Sequence, residues 1–576
     1  MELTATVDAH PGRLLADVIQ GLAMGEGART ALLSDRETLT YSALSARINQ
    51  YARWAIASGI AKGDTVGLMM PNRVDYLAIW LGITRVGGIV ALLNTQLTGS
   101  SLAHCIKVAN ARHVIVDAAL QAPLMAAVPL LEVVPAVWTC GAGTERRIDV
   151  AAGTLDGAPL RPEEDRGVTI HDRALLIYTS GTTGLPKAAH VSHRRILNWA
   201  FWFAGLIDAA PEDRMYDCLP LYHSVGGVVA TGCMLVAGGS VVIAEKFSAT
   251  SFWDDIARWQ CTAFQYIGEL CRYVLKAPAS PNEQAHRLRV ICGNGLRGEI
   301  WEAFKARFAI PRILEFYAAT EGNFSLFNVE EKVGAIGRIP SFLTHRFPAA
   351  VVRFDVGACV PLRNAQGFCE RCAADEVGEA IGRIGERDEG GGQFEGYTSA
   401  AETEGKILRN VFKPGDAWFR TGDLMRRDAQ GFFYFVDRIG DTFRWKGENV
   451  ATLEVAEIVA GAPGVVEATV YGVAVPGTDG RAGMAAIVIA PSFDVAAFRR
   501  YLTDRLPSYA VPVFVRILPR LAITETFKQK KQELMREGFD ASAPTDPLYV
   551  NDPASAAYVA LDSNAYQRIV AGKVRL

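Results

Sequence analysis

Short apolar runs alternate with amphipathic stretches along the first part of the chain. Residues 64–70 and 87–93 are patterned as buried strands, residues 76–86 carry a helical apolar period, and residues 39–44 predict a strand end that leads into a capped helix. This alternation is typical of a parallel α/β layer. Residues 120–173 are rich in Ala, Pro and Gly and poorly periodic, which predicts a variable connection.

Residues 224–244 carry no charge and are long enough on paper to span a bilayer. Glycines interrupt the stretch at Gly226-Gly227, Gly232 and Gly238-Gly239, and residues 240–244 are patterned as a strand. A buried helix, a Gly-Gly turn and a buried strand therefore explain it better than a membrane span.

Length and composition narrow the class of protein. A chain of 576 residues predicts two or more domains, and 50% hydrophobic with 21% charged residues is ordinary for a globular protein. The net charge of −3 argues against a nucleic-acid partner, and the first residues do not form a signal peptide, which favours a cytoplasmic enzyme.

The sequence contains only weak signals of a metal site. Cys369 and Cys372 form a lone CxxC, without a second pair or nearby histidines, so a zinc or redox role has little support. His190 and His193 have no partner ligands in sequence, and we expect two surface histidines near a helix start.

The richest stretch for chemistry is a Gly-, Ser- and Thr-rich loop that ends at Lys187. It follows a short apolar strand and precedes a helix predicted to start at Ser192. Such a loop can offer backbone N–H groups, hydroxyls and one cation to a phosphate. The Walker template fails because Pro186 precedes the lysine and Ala188 follows it, and an ordinary surface turn is the alternative. The candidate phosphate contacts are Thr179, Ser180, Gly181, Thr182, Thr183, Gly184 and Lys187.

Two further polar tips follow predicted strands. Gly293, Asn294 and Gly295 end the run 290–297, and residues 315–323 carry an aromatic ring, a hydroxyl and a carboxylate. In an α/β sheet, ligands gather at such carboxyl-terminal strand ends. Tyr317 suits stacking on adenine, Thr320 suits a phosphoryl or carboxylate oxygen, and Glu321 suits Mg²⁺.

The amino-acid sequence of the phosphate loop resembles that of the adenylate-forming enzymes, which include acyl-CoA synthetases, luciferases and peptide-synthetase adenylation domains. Five motifs occur in the order expected for that superfamily, the last being residues 524–531. The resemblance implies that Asp423, at a predicted glycine turn, binds ribose, that Arg438 contacts ribose or phosphate, and that Lys528 is the catalytic lysine of adenylation. Without it, residues 524–531 would be a solvated basic run. Three positions depart from the usual pattern, namely Ala318, Gly440 and Phe527.

The resemblance also implies where the organic substrates bind. It assigns His223, at the end of a predicted apolar strand, together with Tyr266 and Trp199 to the acyl pocket, although core packing is the alternative for the aromatic helix that carries Trp199. Gly440 stands at the hinge position, where glycine allows a large change of backbone angles. After rotation, Trp445, Lys446, Gly447 and Glu448 are expected to line the channel for coenzyme A.

Several spellings are closer to the fatty acid transport protein and very-long-chain acyl-CoA synthetase family, namely residues 266–269, 291–297, 316–323, 437–452 and 546–550. This resemblance implies an α/β fold, with a large multi-sheet adenylation domain over residues 1–439 and a small α+β domain over residues 440–576. The expected activity is formation of a long- or very-long-chain acyl-CoA from ATP, Mg²⁺ and coenzyme A.

Alternatives remain at this stage. A steroid, bile or terpenoid acid would suit the same apolar lining, and uptake could follow from trapping the acid as a thioester. An enzyme that loads a carrier protein is less favoured because every motif position is filled. Animal members carry an amino-terminal membrane segment that is not seen here, so we expect a soluble form or one peripheral to the inner face of the plasma membrane. The sequence is silent on oligomeric state.

We expect Lys528→Ala to abolish formation of the acyl-adenylate, because the cation that neutralises the reacting carboxylate and α-phosphate is lost. Thioester formation from supplied acyl-adenylate should be spared. Pyrophosphate release and CoA-thioester formation, measured separately, check this, and an equal loss of both half-reactions would contradict it.

Overall fold

A computed structural model describes residues 2–142, 146–179, 185–345, 347–385, 394–476, 478, 480–523, 530–540 and 546–574. The chain divides into two compact units. The first unit comprises Met1–Gly337 and Gln393–Ile407, and the second comprises Arg338–Gly392 and Leu408–Leu576. Each is described by itself.

The α-helices of the described residues are α1 (Glu2–Ala9), α2 (Leu15–Glu26), α3 (Tyr41–Ala57), α4 (Val74–Arg85), α5 (Gly99–Val108), α6 (Gln121–Ala127), α7 (Ile148–Gly153), α8 (His193–Leu206), α9 (Thr231–Ala237), α10 (Phe252–Trp259), α11 (Gly268–Lys276), α12 (Gly298–Phe308), α13 (Ala400–Glu404), α14 (Thr452–Ala460), α15 (Val495–Thr503), α16 (Gln532–Glu537) and α17 (Ser563–Val570). A π-helix, Val225–Ala230, runs directly into α9.

The strands are β1 (Thr30–Leu33), β2 (Thr38–Thr40), β3 (Thr65–Met69), β4 (Ile89–Leu92), β5 (His113–Asp117), β6 (Ala136–Cys140), β7 (Arg173–Thr179), β8 (Lys187–Ser192), β9 (Arg214–Asp217), β10 (Ser240–Ile243), β11 (Ala263–Ile267), β12 (Val290–Asn294), β13 (Ile313–Ala318), β14 (Ser325–Asn328), β15 (Gly337–Arg338), β16 (Ala349–Asp355), β17 (Val360–Pro361), β18 (Gly378–Arg383), β19 (Ile407–Arg409), β20 (Ala417–Arg427), β21 (Phe432–Arg438), β22 (Phe443–Trp445), β23 (Glu448–Val450), β24 (Val465–Ala474), β25 (Arg481–Ile489), β26 (Phe514–Ile517), β27 (Leu548–Asp552) and β28 (Ala557–Ala560).

The first unit contains two largely parallel sheets. One has the order β6-β5-β3-β4-β7-β8, and only β8 runs antiparallel to its neighbour. The other contributes the run β14-β13-β12-β11-β9-β10-β1-β2, parallel except at its two ends. Because β11, β12 and β13 are parallel neighbours, their carboxyl ends meet at one edge.

The largest apolar core joins both sheets through the helices between them. It contains residues of β3, β4 and β7 from one sheet, of β9 to β13 from the other, and of α3, α4, α8 and α9. A second core covers the opposite face of the six-stranded sheet under α5 and α6. Burial on both faces explains why the strands of this sheet are continuous apolar runs.

The second unit combines an antiparallel run, β17-β16-β18-β20-β21, with a five-stranded sheet in the order β24-β25-β26-β27-β28 and a hairpin of β22 and β23. An apolar core of residues between Phe443 and Ile569 holds the five-stranded sheet together. The predicted α/β fold class is confirmed. The domain boundary between residues 439 and 440 stays a prediction.

The uncharged stretch 224–244 folds as expected, into the π-helix and α9, a left-handed Gly238 and the buried strand β10. Among the described residues, no helix combines the length and the apolar character needed to cross a membrane.

Three local predictions were wrong. Residues 120–173 are no mere connection, because they supply β6 to the sheet and also contain α7. His223 does not end an apolar strand, since β9 stops at Asp217 and the histidine lies in the following turn. His190 and His193 are buried, with 7% and 3% of their surface exposed. Burial lowers the pKa of each to about 4. The error on the histidines arose because local sequence does not reveal which distant element covers a residue.

We expect Gly82→Ala to destabilise the first unit by about 1–3 kcal/mol, the usual range for overpacking. A β-carbon at residue 82, in α4, would lie 2.6 Å from the Ile48 carbonyl oxygen and 2.7 Å from the Tyr51 β-carbon, both in α3. Gly21→Ala is the matched control, because nothing lies within 4 Å of its added carbon. Its expected effect is a gain of about 0.5–1 kcal/mol. Urea unfolding measures both, and equal shifts would contradict the close packing of α3 on α4.

Candidate active site

The predicted phosphate loop joins two antiparallel strands. Thr179, at the end of β7, stands opposite Lys187, at the start of β8. The predicted contacts Ser180, Gly181, Thr182, Thr183 and Gly184 lie outside the described residues. The predicted helix does start at Ser192, whose hydroxyl accepts a hydrogen bond from the Arg195 amide. The expectation that this helix directly follows the loop was wrong, because β8 intervenes.

The second predicted motif forms a turn after β13. Glu321 is 7% exposed, and its Oε1 accepts a hydrogen bond of 2.6 Å from the hydroxyl of Tyr397. The hydroxyl of Thr320 lies 3.0 Å from that of Ser224. Thr320 and Glu321 are thus both tied by hydrogen bonds to residues from other parts of the chain, and their catalytic roles stay predictions.

Tyr397 connects this turn to the phosphate loop. Its hydroxyl faces the side chain of Thr179, and its ring centroid lies 5.8 Å from Nζ of Lys187. Burial, and then the charge of Glu321, raise the pKa of Tyr397 above its usual range, so it keeps the proton that it donates. Nζ of Lys187 lies 3.6 Å from Oε1 of Glu402. The structure therefore brings Thr179, Lys187 and Glu321 together around one tyrosine.

The ion pair between Arg195 and Glu395 supports the turn that carries Glu321. Arg195 donates hydrogen bonds of 2.8 Å and 3.0 Å to the carbonyl oxygens of Thr320 and Gly322, and one of 3.2 Å to Glu395. Ser192 donates to Glu395 through both its amide and its hydroxyl, at 2.7 Å each. A buried charge is tolerated when its partners are satisfied in this way, so the network fixes the turn that carries Glu321.

Two of the predicted acyl-pocket residues lie beside this turn. His223 precedes Ser224, the hydroxyl partner of Thr320. Trp199 lies one helical turn beyond Arg195, whose guanidinium is 5.8 Å from the indole ring centroid. Tyr266 is different. It is fully buried, and its hydroxyl donates to Glu315 at 2.7 Å.

Glu315 supports the predicted nucleotide loop Gly293-Asn294-Gly295. Its carboxyl accepts hydrogen bonds from the amides of Gly295, at 3.1 Å, and Leu296, at 2.9 Å. A β-carbon at Gly293 would lie 2.2 Å from the Tyr266 carbonyl oxygen, so only glycine fits there. Burial raises the pKa of Glu315 to about 8, against the opposing effect of the hydrogen bonds from Tyr266 and the two amides.

In the second unit, the predicted ribose contacts are cross-strand neighbours. Asp423 pairs with Arg438 across β20 and β21, with 3.8 Å between Oδ1 and Nε. The expectation that Asp423 sits at a turn was wrong, because β20 continues through it. Gly422, with a φ of +79°, makes a local irregularity in that strand.

The predicted hinge residue and the residues predicted to line the channel for coenzyme A come after β21 in the chain. Gly440 has no heavy atom within 4 Å of an added β-carbon, so its surroundings would accept a side chain. Trp445 is 3% exposed and belongs to the core, while Lys446 and Gly447 make the tight turn of the β22–β23 hairpin with φ of +51° and +85°. Lys446 and Glu448 are exposed at its tip. Lys528 lies outside the described residues.

The site fits a divalent cation held together with a nucleotide. Within the described ranges, no three His, Cys, Asp or Glu side chains are grouped to hold a metal by themselves. Glu321 offers one hard oxygen ligand, and Mg²⁺ is commonly bound by one or two carboxylates plus substrate phosphates.

Sequence reasoning gave no role to residues 394–402, which supply Glu395, Tyr397 and Glu402. They lie just beyond the glycine-rich stretch 390–392, which resembles a linker. The sequence signal that could have indicated a role was the cluster of two acidic residues and a tyrosine within residues 394–402. Ser224, Arg195 and Glu315 were also present in the sequence without an assigned role.

Comparisons with known proteins agree with this organisation. A family model described as AMP-binding enzyme matches residues 22–347, and one described as AMP-binding enzyme C-terminal domain matches residues 454–528. The chain is 39% identical to long-chain fatty acid transport protein 1 of Mus musculus over 98% of this chain and 88% of the relative. It is also 39% identical to a medium/long-chain-fatty-acid–CoA ligase of Mycobacterium tuberculosis, over 95% and 89%. Its fold matches ATP-bound MatB from Rhodopseudomonas palustris with a TM-score of 0.76 at 24% identity, over 90% of this chain and 98% of that one.

We expect Glu315→Gln to flatten the pH dependence of stability between pH 5 and pH 8. A carboxyl whose pKa rises on folding, here from 4.5 to about 8, stabilises the folded state fully below pH 4.5, and that contribution is lost as the pH rises through 8. Its slope is at most about 1.4 kcal/mol per pH unit. Thermal unfolding across this range, with wild type as the reference, measures the difference. Parallel profiles for the two proteins would contradict it.

Proposed function

The chain belongs to the AMP-binding enzyme family, and from that premise we propose that it is an ATP-dependent, AMP-forming CoA ligase for long- or very-long-chain fatty acids. The resemblance to the fatty acid transport proteins, predicted from the motifs, is confirmed by the relatives. The observation that carries the proposal is the convergence of Thr179, Lys187 and Glu321 around Tyr397, with Thr320 next to Glu321 in the same turn.

In the first step, an oxygen of the fatty acid carboxylate attacks the α-phosphorus of ATP. The bond to the β-phosphate breaks, and pyrophosphate leaves with its electron pair. Lys187 offsets charge on the phosphates, and the Thr320 hydroxyl donates to an oxygen of the reacting groups. Positioning and electrostatic stabilisation supply most of the catalysis in phosphoryl chemistry of this kind. Lys528, from residues 524–531, is proposed to bind the carboxylate and α-phosphate.

Glu321 is the residue proposed to hold Mg²⁺ with the nucleotide. The cation would supply counter-charge for the phosphate oxygens. Tyr317, partly buried near the end of β13, is proposed to stack on adenine beside Gly293, Asn294 and Gly295. Asp423 and Arg438 are proposed to bind the ribose, consistent with their pairing across β20 and β21.

In the second step, the thiol of coenzyme A attacks the acyl carbonyl carbon. The bond to the AMP oxygen breaks, AMP leaves, and the thiol proton passes to solvent. We assign the change between steps to rotation about Gly440, between domains of residues 1–439 and 440–576. The exposed tip of the β22–β23 hairpin, with Lys446 and Glu448, is proposed to face the pantetheine arm, and Trp445 to support it from the core.

The acid is inferred from the relatives. Both relatives named above carry long-chain fatty acids in their names, and this favours an apolar chain that extends past His223 and Trp199. The word transport in one of these names supports a second candidate, uptake of the acid by trapping it as a thioester. Such uptake needs the same ligase chemistry and no separate site. Peripheral membrane association would suit an acid that partitions into lipid.

We expect AMP and acyl-CoA to form in equal amounts with ATP, Mg²⁺ and coenzyme A, with the highest kcat/KM for long-chain acids. A panel of fatty acids of increasing length, with cholate and benzoate, checks this by chromatography of the products. A peak with cholate would keep the mechanism and replace the substrate class. Pyrophosphate release without any CoA thioester would instead favour loading of a carrier protein.

A further inference from the structure

Tyr397 is held in place by backbone pairing, before any ligand is considered. The amide of His190 donates to the Gly396 carbonyl, and the amide of Thr398 donates to the Ala188 carbonyl, each at 3.0 Å. Tyr397 is thereby bridged to Ala189 of β8. The phenol therefore approaches the site from a strand partner and not from a loose loop.

Its hydroxyl contacts one residue from each of two motifs. It donates to Oε1 of Glu321 at 2.6 Å and faces the side chain of Thr179, the last residue of β7. The Tyr397 hydroxyl thus connects the Glu321 carboxylate with the residue that precedes the phosphate loop.

The ring makes a separate contact. Nζ of Lys187 lies 5.8 Å from the ring centroid. Phenylalanine at this position would keep the ring beside the cation and remove the hydrogen bond to Glu321, so Tyr397→Phe isolates the role of the hydroxyl.

We propose that Tyr397 is a positioning residue that fixes the Glu321 carboxylate for the divalent cation bound with the nucleotide. The inference rests on the proposed function for the role of Glu321 and extends it to a residue of the segment 394–402. Carboxylates that ligate a metal are themselves held by hydrogen bonds, and loss of such a partner typically lowers metal affinity by about 10–100-fold.

The test measures binding without turnover. The full-length protein is titrated with α,β-methylene-ATP, in the absence of acid, once with Mg²⁺ and once with EDTA, by isothermal calorimetry. Tyr397→Phe is expected to weaken binding at least about tenfold with Mg²⁺ and less than about twofold with EDTA.

Tyr178→Phe is the matched control. Tyr178 is also a buried tyrosine, and its hydroxyl donates a hydrogen bond of the same length, 2.6 Å, to the Cys105 carbonyl oxygen. This hydrogen bond does not involve Glu321, so the nucleotide affinities with Mg²⁺ and with EDTA should both stay near those of wild type. An equal loss in the two tyrosine variants, or an equal loss with Mg²⁺ and EDTA, would overturn the inference in favour of a structural role.

A double-mutant cycle tests whether Tyr397 acts through Glu321. In a Glu321→Gln background, Tyr397→Phe should add less than about twofold to the loss with Mg²⁺, and fully additive losses would overturn the inference. Should Tyr397→Phe fail to fold, Glu321→Asp retracts the carboxylate from the hydroxyl by one methylene. The same Mg²⁺-restricted loss is expected for it, and affinity like that of wild type would overturn the inference.

The two proposals can fail separately. Nucleotide binding that is indifferent to Mg²⁺ in the wild type overturns the role of Tyr397, whatever the panel of acids shows. Conversely, if the panel of acids yields no acyl-CoA while Tyr397→Phe shows the Mg²⁺-restricted loss, the ligase assignment falls and the positioning role stands.

Discussion

The pairing of three residues, 396–398, with β8 is the constraint on which the site depends. It places Tyr397 between the two ends of the candidate chemistry, with Glu321 on one side and Thr179 on the other. Backbone hydrogen bonds are directional and cannot be made to water in a buried position, so they fix this approach more firmly than a side-chain contact would. Once it is made, Glu395 and Glu402, on the same segment, reach Arg195 and Lys187.

Two cations of the site, Lys187 and Arg195, are each engaged by a carboxylate but are held differently. Arg195 is 9% exposed, makes several hydrogen bonds to Glu395 and to backbone carbonyls, and serves the architecture. Lys187 has a longer and simpler contact with Glu402, at 3.6 Å. A single ion pair of this kind is weak in a partly solvated setting, so a phosphate can compete for the lysine at small cost.

Much of the fold could be predicted from the sequence because its signals are local. Apolar runs and glycines predict the strands at 64–70 and 87–93, the helix at 76–86 and the polar ends of β12 and β13. The joining of Glu321 to Tyr397 could not be predicted, since the two residues are 76 positions apart and a three-residue pairing carries no periodicity. The strand β8 was missed for a related reason. Its six residues include a lysine, a histidine and the serine that caps α8, so the helix signal masked the strand.

The first unit is discontinuous, since the chain leaves it after Gly337 and returns for Gln393–Ile407. During synthesis, the sheet that bears Thr179 and Lys187 and the turn that bears Glu321 emerge well before residues 396–398, which join them. The contacts of Tyr397 can therefore form only after the returning segment has left the ribosome. For the same reason, a chain cut at residue 347, where the match to the first family model ends, would keep nearly all of that unit's core yet lack the tyrosine at its centre.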